Sequence, residues 1–102
     1  MIKRIVKMSF QPEKLETFLE VFNESKKYIA ASEGCYHLEL LQMPAHSNIL
    51  FTYSFWEDEA ALNNYRHSDL FKATWAKTKV LFNDKPQAWT IVSIDKVKEL
   101  AE

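Results

Sequence analysis

Few side chains in this sequence could act as an acid, a base or a nucleophile near neutral pH. They are three histidines, His37, His46 and His67, and one cysteine, Cys35. His37 lies two residues before Glu39 in an alternating stretch, and because imidazole exchanges protons near neutral pH it is a candidate general base. The alternative interpretation is a strand histidine at a solvent or dimer edge. His46 and His67 fall in predicted turns, where surface positions are typical.

The spacing of these groups excludes several kinds of site. The three histidines lack metal-ligand spacing and one cysteine adds little, so the sequence predicts no metal site. Nothing near Cys35 in sequence would lower the pKa of its thiol, as a nucleophile requires. No serine, histidine and acid combination stands in a nucleophile-elbow context, so hydrolase chemistry is not supported. The single glycine, Gly34, excludes the glycine-rich loops that bind phosphate.

The segment from Ser54 to Trp75 is dense in aromatic residues and supplies the other candidates. Tyr65 has a hydroxyl that can donate or accept a hydrogen bond, and it shares a helix face with Leu62, three residues earlier. Trp56 and Trp75 are flat enough to form walls for a ring-shaped ligand. Large aromatic residues also dominate protein cores, so a purely structural role stays open for all three.

Composition limits the class of protein. The chain has 102 residues, which predicts one domain over 1–102, and a net charge of −1, which argues against nucleic-acid binding. No apolar run approaches the roughly 20 residues of a membrane span. One cysteine leaves no internal disulfide, so we expect a cytoplasmic protein.

The periodicity of apolar residues predicts the element order β-α-β-β-α-β. Helical spacing runs from Pro12 to about residue 31. Asp58 and Ser68 are predicted to cap two short helices, the second of which carries residues as far as Phe82. Alternation predicts four strands, at Ile2–Phe10, Cys35–Met43, Ile49–Trp56 and Gln87–Ile94. This order is typical of an α+β, ferredoxin-like fold, in which helices cover one face of a four-stranded antiparallel sheet.

The third predicted strand is apolar on both of its faces. Ile49, Phe51, Tyr53 and Phe55 alternate with Leu50, Thr52 and Trp56, and the fourth strand is apolar on both faces too. Helices can cover only one face, and a small domain does not leave such a patch in water. A second copy packed sheet to sheet would cover it, so we expect a homodimer.

Two stretches resemble the antibiotic biosynthesis monooxygenase family of dimeric α+β barrels. "SEGCYHLEL" (32–40) is similar to the family's turn into the second strand, and "YSFWEDEAALNNYRHSDLFKA" (53–73) is similar to its strand-end tryptophan and capped helices. The resemblance implies a ferredoxin-like protomer paired into a barrel, with a pocket between helices and sheet. It also implies, for some members, oxygenation with no metal, flavin or other cofactor.

The sequence departs from the family pattern at the positions of its chemistry. Quinol-oxidising relatives often carry a glutamate where this chain has Ser54, and histidines where it has Tyr65 and Leu70. Haem-degrading relatives use an asparagine, a tryptophan and a histidine. The positions that correspond here are Lys7 or Met8, Tyr65 and Trp75. None of those three residues is retained, which argues against haem degradation.

Two functions follow from these residues. The first is a cofactor-independent monooxygenase for an electron-rich, quinol-like aromatic, which needs an apolar pocket and one polar group. Its predicted polar groups are Tyr65 and His37, and its predicted walls are Trp56, Trp75, Phe51, Tyr53 and Leu62. The second is a non-catalytic dimeric barrel, of the stress-responsive type, that binds a hydrophobic metabolite. We expect any pocket to lie between the sheet and the segment from Asp58 to Phe82.

Overall fold

The computed structural model describes residues 1–45 and 47–98. His46 and the last four residues of the charged tail therefore lie outside the described residues. The four strands are β1 (Ile2–Ser9), β2 (Cys35–Gln42), β3 (Ile49–Trp56) and β4 (Gln87–Ile91). The three helices are α1 (Leu15–Ala30), which follows a single 3-10 turn at Pro12–Lys14, α2 (Glu59–Arg66) and α3 (Asp69–Lys79).

The strands form one sheet in the order β2-β3-β1-β4, and every neighbouring pair is antiparallel. The long first strand lies in the interior, between β3 and β4. This arrangement confirms the prediction of an α+β, ferredoxin-like fold. Within the described ranges, no helix has the length and apolarity needed to cross a membrane.

The two short helices begin at the predicted caps. The Asp58 carboxylate accepts a hydrogen bond from the Ala61 N–H at 2.9 Å, and the Ser68 hydroxyl accepts one from the Phe71 N–H at 3.1 Å. Each cap satisfies a backbone donor that the first turn of a helix leaves free. Both caps are therefore confirmed.

Three predicted strand ends and one predicted helix end are wrong. β1 and β2 each end one residue early, at Ser9 and Gln42. β4 ends at Ile91, not at Ile94, because Ile91 pairs with Lys3 near the start of β1 and little of β1 remains beyond it. α3 ends at Lys79, so Phe82 lies outside the helix, where it forms an isolated bridge with Phe10.

The sheet has an inner face, which the three helices cover, and an open face. Residues of the inner face include Arg4, Val6, Met8, Leu38, Thr52, Ser54, Trp56 and Ala88, and all of these lie against the helices. Residues of the open face include Lys3, Ile5, Lys7, His37, Glu39, Phe51, Tyr53, Phe55, Trp89 and Ile91, which pair across the strands in register. Side chains of a strand alternate between faces, so each strand contributes to both sets.

The core lies between the inner face and the helices. Met8, Phe10, Phe18, Leu50 and Leu81 form one buried cluster. The rings of Phe10 and Phe18 stack with centroids 4.3 Å apart, which fixes the start of α1 against the end of β1. This packing holds the helices over the sheet and leaves space elsewhere in the same layer.

Candidate ligand cavity

A cavity of about 330 Å³ lies between the inner face and the three helices. This volume is within the range of roughly 300–1,000 Å³ typical of small-molecule sites. Most of the residues around it are apolar or aromatic, and α1 contributes Phe18, Phe22 and Ile29. The cavity can therefore hold a small, largely apolar molecule.

Trp56 and Ser54 form the sheet side of the cavity. They are two residues apart on β3 and so share the inner face. The Trp56 indole N–H donates a hydrogen bond to the Ser54 hydroxyl oxygen at 2.9 Å, and both residues are buried. Ser54 thus satisfies the buried indole and fixes the plane of its ring.

Tyr65, in the last turn of α2, packs against that indole. The rings of Trp56 and Tyr65 stack with centroids 4.9 Å apart and an angle of 22°. Burial, and to a smaller extent the neighbouring Cys35, raises the pKa of Tyr65 to about 12. The hydroxyl therefore stays protonated at physiological pH, where it is able to donate a hydrogen bond and is unsuited to act as a base. Within the described part of the chain no group hydrogen-bonds to it.

The helical side of the cavity is a run of contacting aromatic rings. Tyr65 meets Phe71 edge to face at 5.3 Å, and Phe71 stacks on Trp75 at 5.9 Å with an angle of 9°. Trp75 then meets Phe82 at 5.5 Å. Rings held on both sides by other rings have little freedom to rotate, so this wall is preformed.

Arg4 and Arg66 also line the cavity. Arg4 lies on β1 beside Val6 and Met8, and one of its N–H groups donates to the Thr90 hydroxyl oxygen at 2.9 Å. Burial, and to a smaller extent the Arg66 guanidinium, lowers the pKa of Arg4. Arg66 is the last residue of α2, directly after Tyr65, and its side chain is exposed.

Four of the predicted site residues lie together in this cavity. Trp56, Leu62, Tyr65 and Trp75 all line it. The cavity lies against α1 as well as against the predicted segment from residue 58 to 82.

The other three predicted site residues lie on the opposite side of the sheet. His37, Phe51 and Tyr53 belong to the open face, so Phe51 and Tyr53 do not form walls of the cavity and His37 cannot reach it. The physical reason is the alternation of side chains along a strand, which separates Phe51 and Tyr53 from Trp56 on β3. His37 is bound instead to Glu39, with 2.9 Å between Nε2 and Oε1, and its ring lies 4.6 Å from that of Phe55.

The remaining chemical candidates are accounted for by local contacts. The Cys35 thiol donates to the His37 carbonyl oxygen at 3.6 Å, and burial raises the pKa of this thiol, which makes it a poor nucleophile. His67 is exposed beyond the end of α2, with Nδ1 2.7 Å from the Asn63 carbonyl oxygen. Among residues 1–45 and 47–98, no three histidine, cysteine or acidic side chains cluster in a way that could hold a metal ion.

Sequence reasoning missed the two arginines and the contribution of α1. The alternation in β1 already placed Arg4 on the same side as Val6 and Met8, so an arginine within an apolar stripe was a usable signal. Arg66 is four residues after Leu62, a spacing that puts both on one helix face. The residues of α1 that line the cavity are apolar, like the residues of α1 that pack in the core, so the sequence does not distinguish the two groups.

Comparison with known proteins agrees with this architecture. The family model for antibiotic biosynthesis monooxygenase matches residues 1–77. A crystal structure of a conserved protein from Methanosarcina mazei superposes with a TM-score of 0.83 and 22% identity, covering 87% of this chain and 88% of that one. A crystal structure of an antibiotic biosynthesis monooxygenase superposes with a TM-score of 0.87 and 16% identity, covering 93% and 100%.

A variant of SnoaB, described as a cofactor-independent oxygenase from Streptomyces nogalater, superposes with a TM-score of 0.79 and 15% identity, covering 96% of this chain and 97% of that one. At these identities the structural likenesses concern the fold. No functionally curated protein matches the sequence. The match of the family model over residues 1–77 of 102, together with the fold, shows that the chain belongs to the antibiotic biosynthesis monooxygenase family.

Proposed function

We propose that this chain is a cofactor-independent monooxygenase that acts on an electron-rich aromatic, quinol-like substrate. Membership of the monooxygenase family supports the reaction class. The observation that carries the proposal is the aromatic cavity of about 330 Å³, whose lining includes Tyr65, with its protonated hydroxyl and with its ring stacked on that of Trp56. A flat substrate would stack among these rings, and Tyr65 would donate a hydrogen bond to one of its oxygens.

The chemistry needs dioxygen as the only other reactant. A ring hydroxyl of the substrate loses its proton to water, and the electron-rich anion reduces dioxygen and bonds to it at a ring carbon. The same ring carbon then loses its hydrogen as a proton to water, and the C–H electron pair forms the carbonyl as the O–O bond breaks. One oxygen thus stays on the ring, and the other leaves as hydroxide and takes up a proton to become water. The cavity contributes by excluding bulk water and by orienting the ring, two effects that do not require a cofactor.

A non-catalytic, ligand-binding role is the second candidate. It is favoured by the chemical character of the lining, since the described residues there include no histidine, aspartate or glutamate that could accept the substrate's proton. In this role the same cavity holds a hydrophobic metabolite without changing it.

We also propose that the protein acts as a homodimer formed through the open face, as many members of its family are dimeric. The apolar residues of that face, including Ile5, Phe51, Tyr53, Phe55 and Trp89, support this arrangement. The cytoplasmic location expected from the single cysteine stays a prediction.

Oxygen consumption with a panel of hydroquinones and anthrones tests the reaction. We expect turnover by the unmodified protein, and a twofold to roughly tenfold loss in Tyr65→Phe, since one neutral hydrogen bond contributes about 0.5–1.5 kcal/mol. Tyr28→Phe is the matched control, because Tyr28 is exposed on α1 and does not line the cavity. His37→Ala tests the open face and should leave the catalytic constant unchanged.

The two candidate functions differ in outcome. Binding of the aromatic compounds without oxygen uptake would favour the ligand-binding role. Oxygen uptake that is unaffected by Tyr65→Phe but abolished by His37→Ala would contradict the cavity as the site of reaction.

A further inference from the structure

The charge on the lining of the cavity is all of one sign. Arg4 and Arg66 are the charged side chains among the described residues that line it, and the other polar side-chain groups there are neutral hydroxyls, two indole N–H groups and one amide. Arg66 is exposed and Arg4 is only partly buried, so neither charge is fully removed from water. The described lining offers them no carboxylate, so a negative charge beside them would have to come from a ligand.

The two guanidinium groups are close enough to affect each other. Arg66 contributes to lowering the pKa of Arg4, second to burial, so the two cations repel each other. In the part of the chain that the structure describes, the one ion pair joins His37 and Glu39 on the open face, and neither arginine takes part in it. An anion placed between Arg4 and Arg66 would replace this repulsion with two charge-assisted hydrogen bonds.

The arginines are also connected to the aromatic stack. Arg4 lies opposite Ser54 in the pairing of β1 with β3, and Ser54 accepts the hydrogen bond from the Trp56 indole. Trp56 stacks on Tyr65, and both rings line the same cavity as Arg4 and Arg66. A ligand with its ring against the Trp56 and Tyr65 rings would thus carry its polar end toward the arginines. Arg4 uses one N–H on Thr90, and the other N–H groups of a guanidinium remain available.

We propose that Arg4 and Arg66 form an anion subsite at one end of the cavity, and that the aromatic ligand carries a carboxylate or an ionised ring hydroxyl there. This inference rests on the proposed function, because it takes the cavity as the place where the aromatic ligand binds. It specifies that ligand further, as a singly charged anion.

The subsite would also explain how a cavity without a basic residue favours the reactive form of its substrate. Nearby positive charge lowers the pKa of a hydroxyl, since it stabilises the anion. A ring hydroxyl held by the two arginines would release its proton to water more readily than in solution. The arginines would then prepare the anion that reacts with dioxygen, with no proton transfer to a side chain.

Two matched pairs of small aromatic probes test the subsite. Naphthoate and naphthamide have nearly the same size but differ by one negative charge. A hydroxynaphthoquinone that is ionised at neutral pH and its methyl ether form the second pair. Dissociation constants are measured by calorimetry. In the unmodified protein we expect the anion of at least one pair to bind about tenfold or more tightly than its neutral partner.

Three variants locate the effect. Arg4→Gln and Arg66→Gln should each reduce the preference for the anion several-fold. Lys77→Gln is the matched control, because it removes a positive charge from the last turn of α3, and Lys77 does not line the cavity. The Lys77→Gln variant should prefer the anionic probe to the same degree as the unmodified protein. Should Arg4→Gln fail to fold by circular dichroism, Arg66→Gln decides alone, since Arg66 is exposed at the end of α2.

The outcomes separate the two proposals. A preference limited to naphthoate shows that the subsite binds a carboxylate. A preference limited to the hydroxyquinone shows that it binds an ionised hydroxyl. Either result supports the subsite. Equal binding within both pairs, no binding of any probe, or a preference that survives in both arginine variants would overturn it. Anion preference without oxygen uptake would instead contradict only the oxygenase function. Oxygen uptake with neutral hydroquinones and no anion preference would contradict only the subsite.

Discussion

At the scale of single residues, Tyr65 shows how a fold changes the chemistry of a side chain. Stacking on Trp56 and burial between α2 and the sheet reduce the contact of the hydroxyl with water, which disfavours the phenolate. The pKa rises to about 12, so Tyr65 is a permanent hydrogen-bond donor in the physiological range. A histidine at this position would be able to accept a proton instead.

This shift in pKa predicts a loss of stability at high pH. An unfolded chain releases the Tyr65 proton near pH 10, whereas the folded chain keeps it up to about pH 12. Between these values the unfolded state binds fewer protons, so the free energy of unfolding falls as pH rises, by about 1.4 kcal/mol at about pH 11. Tyr65→Phe should lack this contribution. Urea unfolding of both proteins at about pH 9 and about pH 11 measures this change in the free energy of unfolding.

Tyr28→Phe is the control for this measurement. It removes the hydroxyl of an exposed tyrosine and leaves every other titrating group, including Tyr65, in place. The stability difference between the unmodified protein and Tyr65→Phe should change by about 1.4 kcal/mol between the two pH values. The corresponding difference for Tyr28→Phe should be constant. A constant difference for Tyr65→Phe as well would contradict the raised pKa.

The surroundings of a residue can be predicted from the sequence when its neighbours lie on the same helix or strand, and not when they lie on a different element. Tyr65 and Leu62 are neighbours on one turn of a helix, so their common face follows from spacing alone. Phe51 and Tyr53 were misplaced although alternation already set them opposite Trp56, so the information was present. The proximity of Arg4 to Arg66 was not predictable, because it depends on how α2 packs against the sheet.

At the scale of elements, the turn between α1 and β2 fixes the position of α2. Gly34 in this turn has φ of 81°, a conformation that residues with a Cβ rarely adopt. Its carbonyl oxygen accepts a hydrogen bond from the Glu57 N–H at 2.8 Å. A Cβ at this position would lie only 2.5 Å from the Cβ of Ala61. Close packing of the turn against α2 therefore depends on glycine.

Gly34→Ala should lower stability by more than the cost of its backbone conformation. The left-handed conformation alone costs a residue with a Cβ about 1–2 kcal/mol, and the clash with Ala61 adds to it. Ala61→Gly removes the clash but leaves the backbone strain. In a double-mutant cycle measured by urea unfolding, the combined variant should therefore be more stable than the sum of the single effects predicts. Strictly additive effects would show that the turn moves away from α2.

Element boundaries were predictable where a single local signal sets them. β3 has the predicted bounds, Ile49–Trp56, and both short helices begin after their predicted caps. β4 ends early for a reason that is not local, since its length is limited by the start of β1. The end of α3 before Phe82 likewise reflects a tertiary contact, the bridge from Phe82 to Phe10.

At the scale of the whole molecule, the two faces of the sheet have different roles. The inner face and the helices enclose the cavity, whereas the open face has no cover within residues 1–45 and 47–98. Strands of up to eight residues and four strands in width give the open face an extent on the order of 500 Å². Part of this area is apolar, and monomers rarely expose a contiguous apolar area larger than a few hundred Å². The same face also carries Trp89 and Ile91, both more than 40% exposed.

A homodimer through the open face predicts that one charge at its centre is disruptive. Ile5 lies on β1 between Tyr53 and Trp89, which makes it central. In a two-fold interface, Ile5→Glu introduces two like charges that dimerisation would bury, so dimerisation should be lost and stability reduced together. Light scattering at micromolar concentration should give twice the chain mass for the unmodified protein and the chain mass for Ile5→Glu.

Val80→Glu is the matched control for that measurement. Val80 follows α3, is 66% exposed and lies outside the open face, so the same new charge there should leave the dimer intact. The cavity lies on the other side of the sheet from Ile5, so dissociated Ile5→Glu that still folds should keep a measurable affinity for naphthoate. A monomeric unmodified protein, or equal dissociation of both variants, would contradict the dimer and leave the open face to another partner.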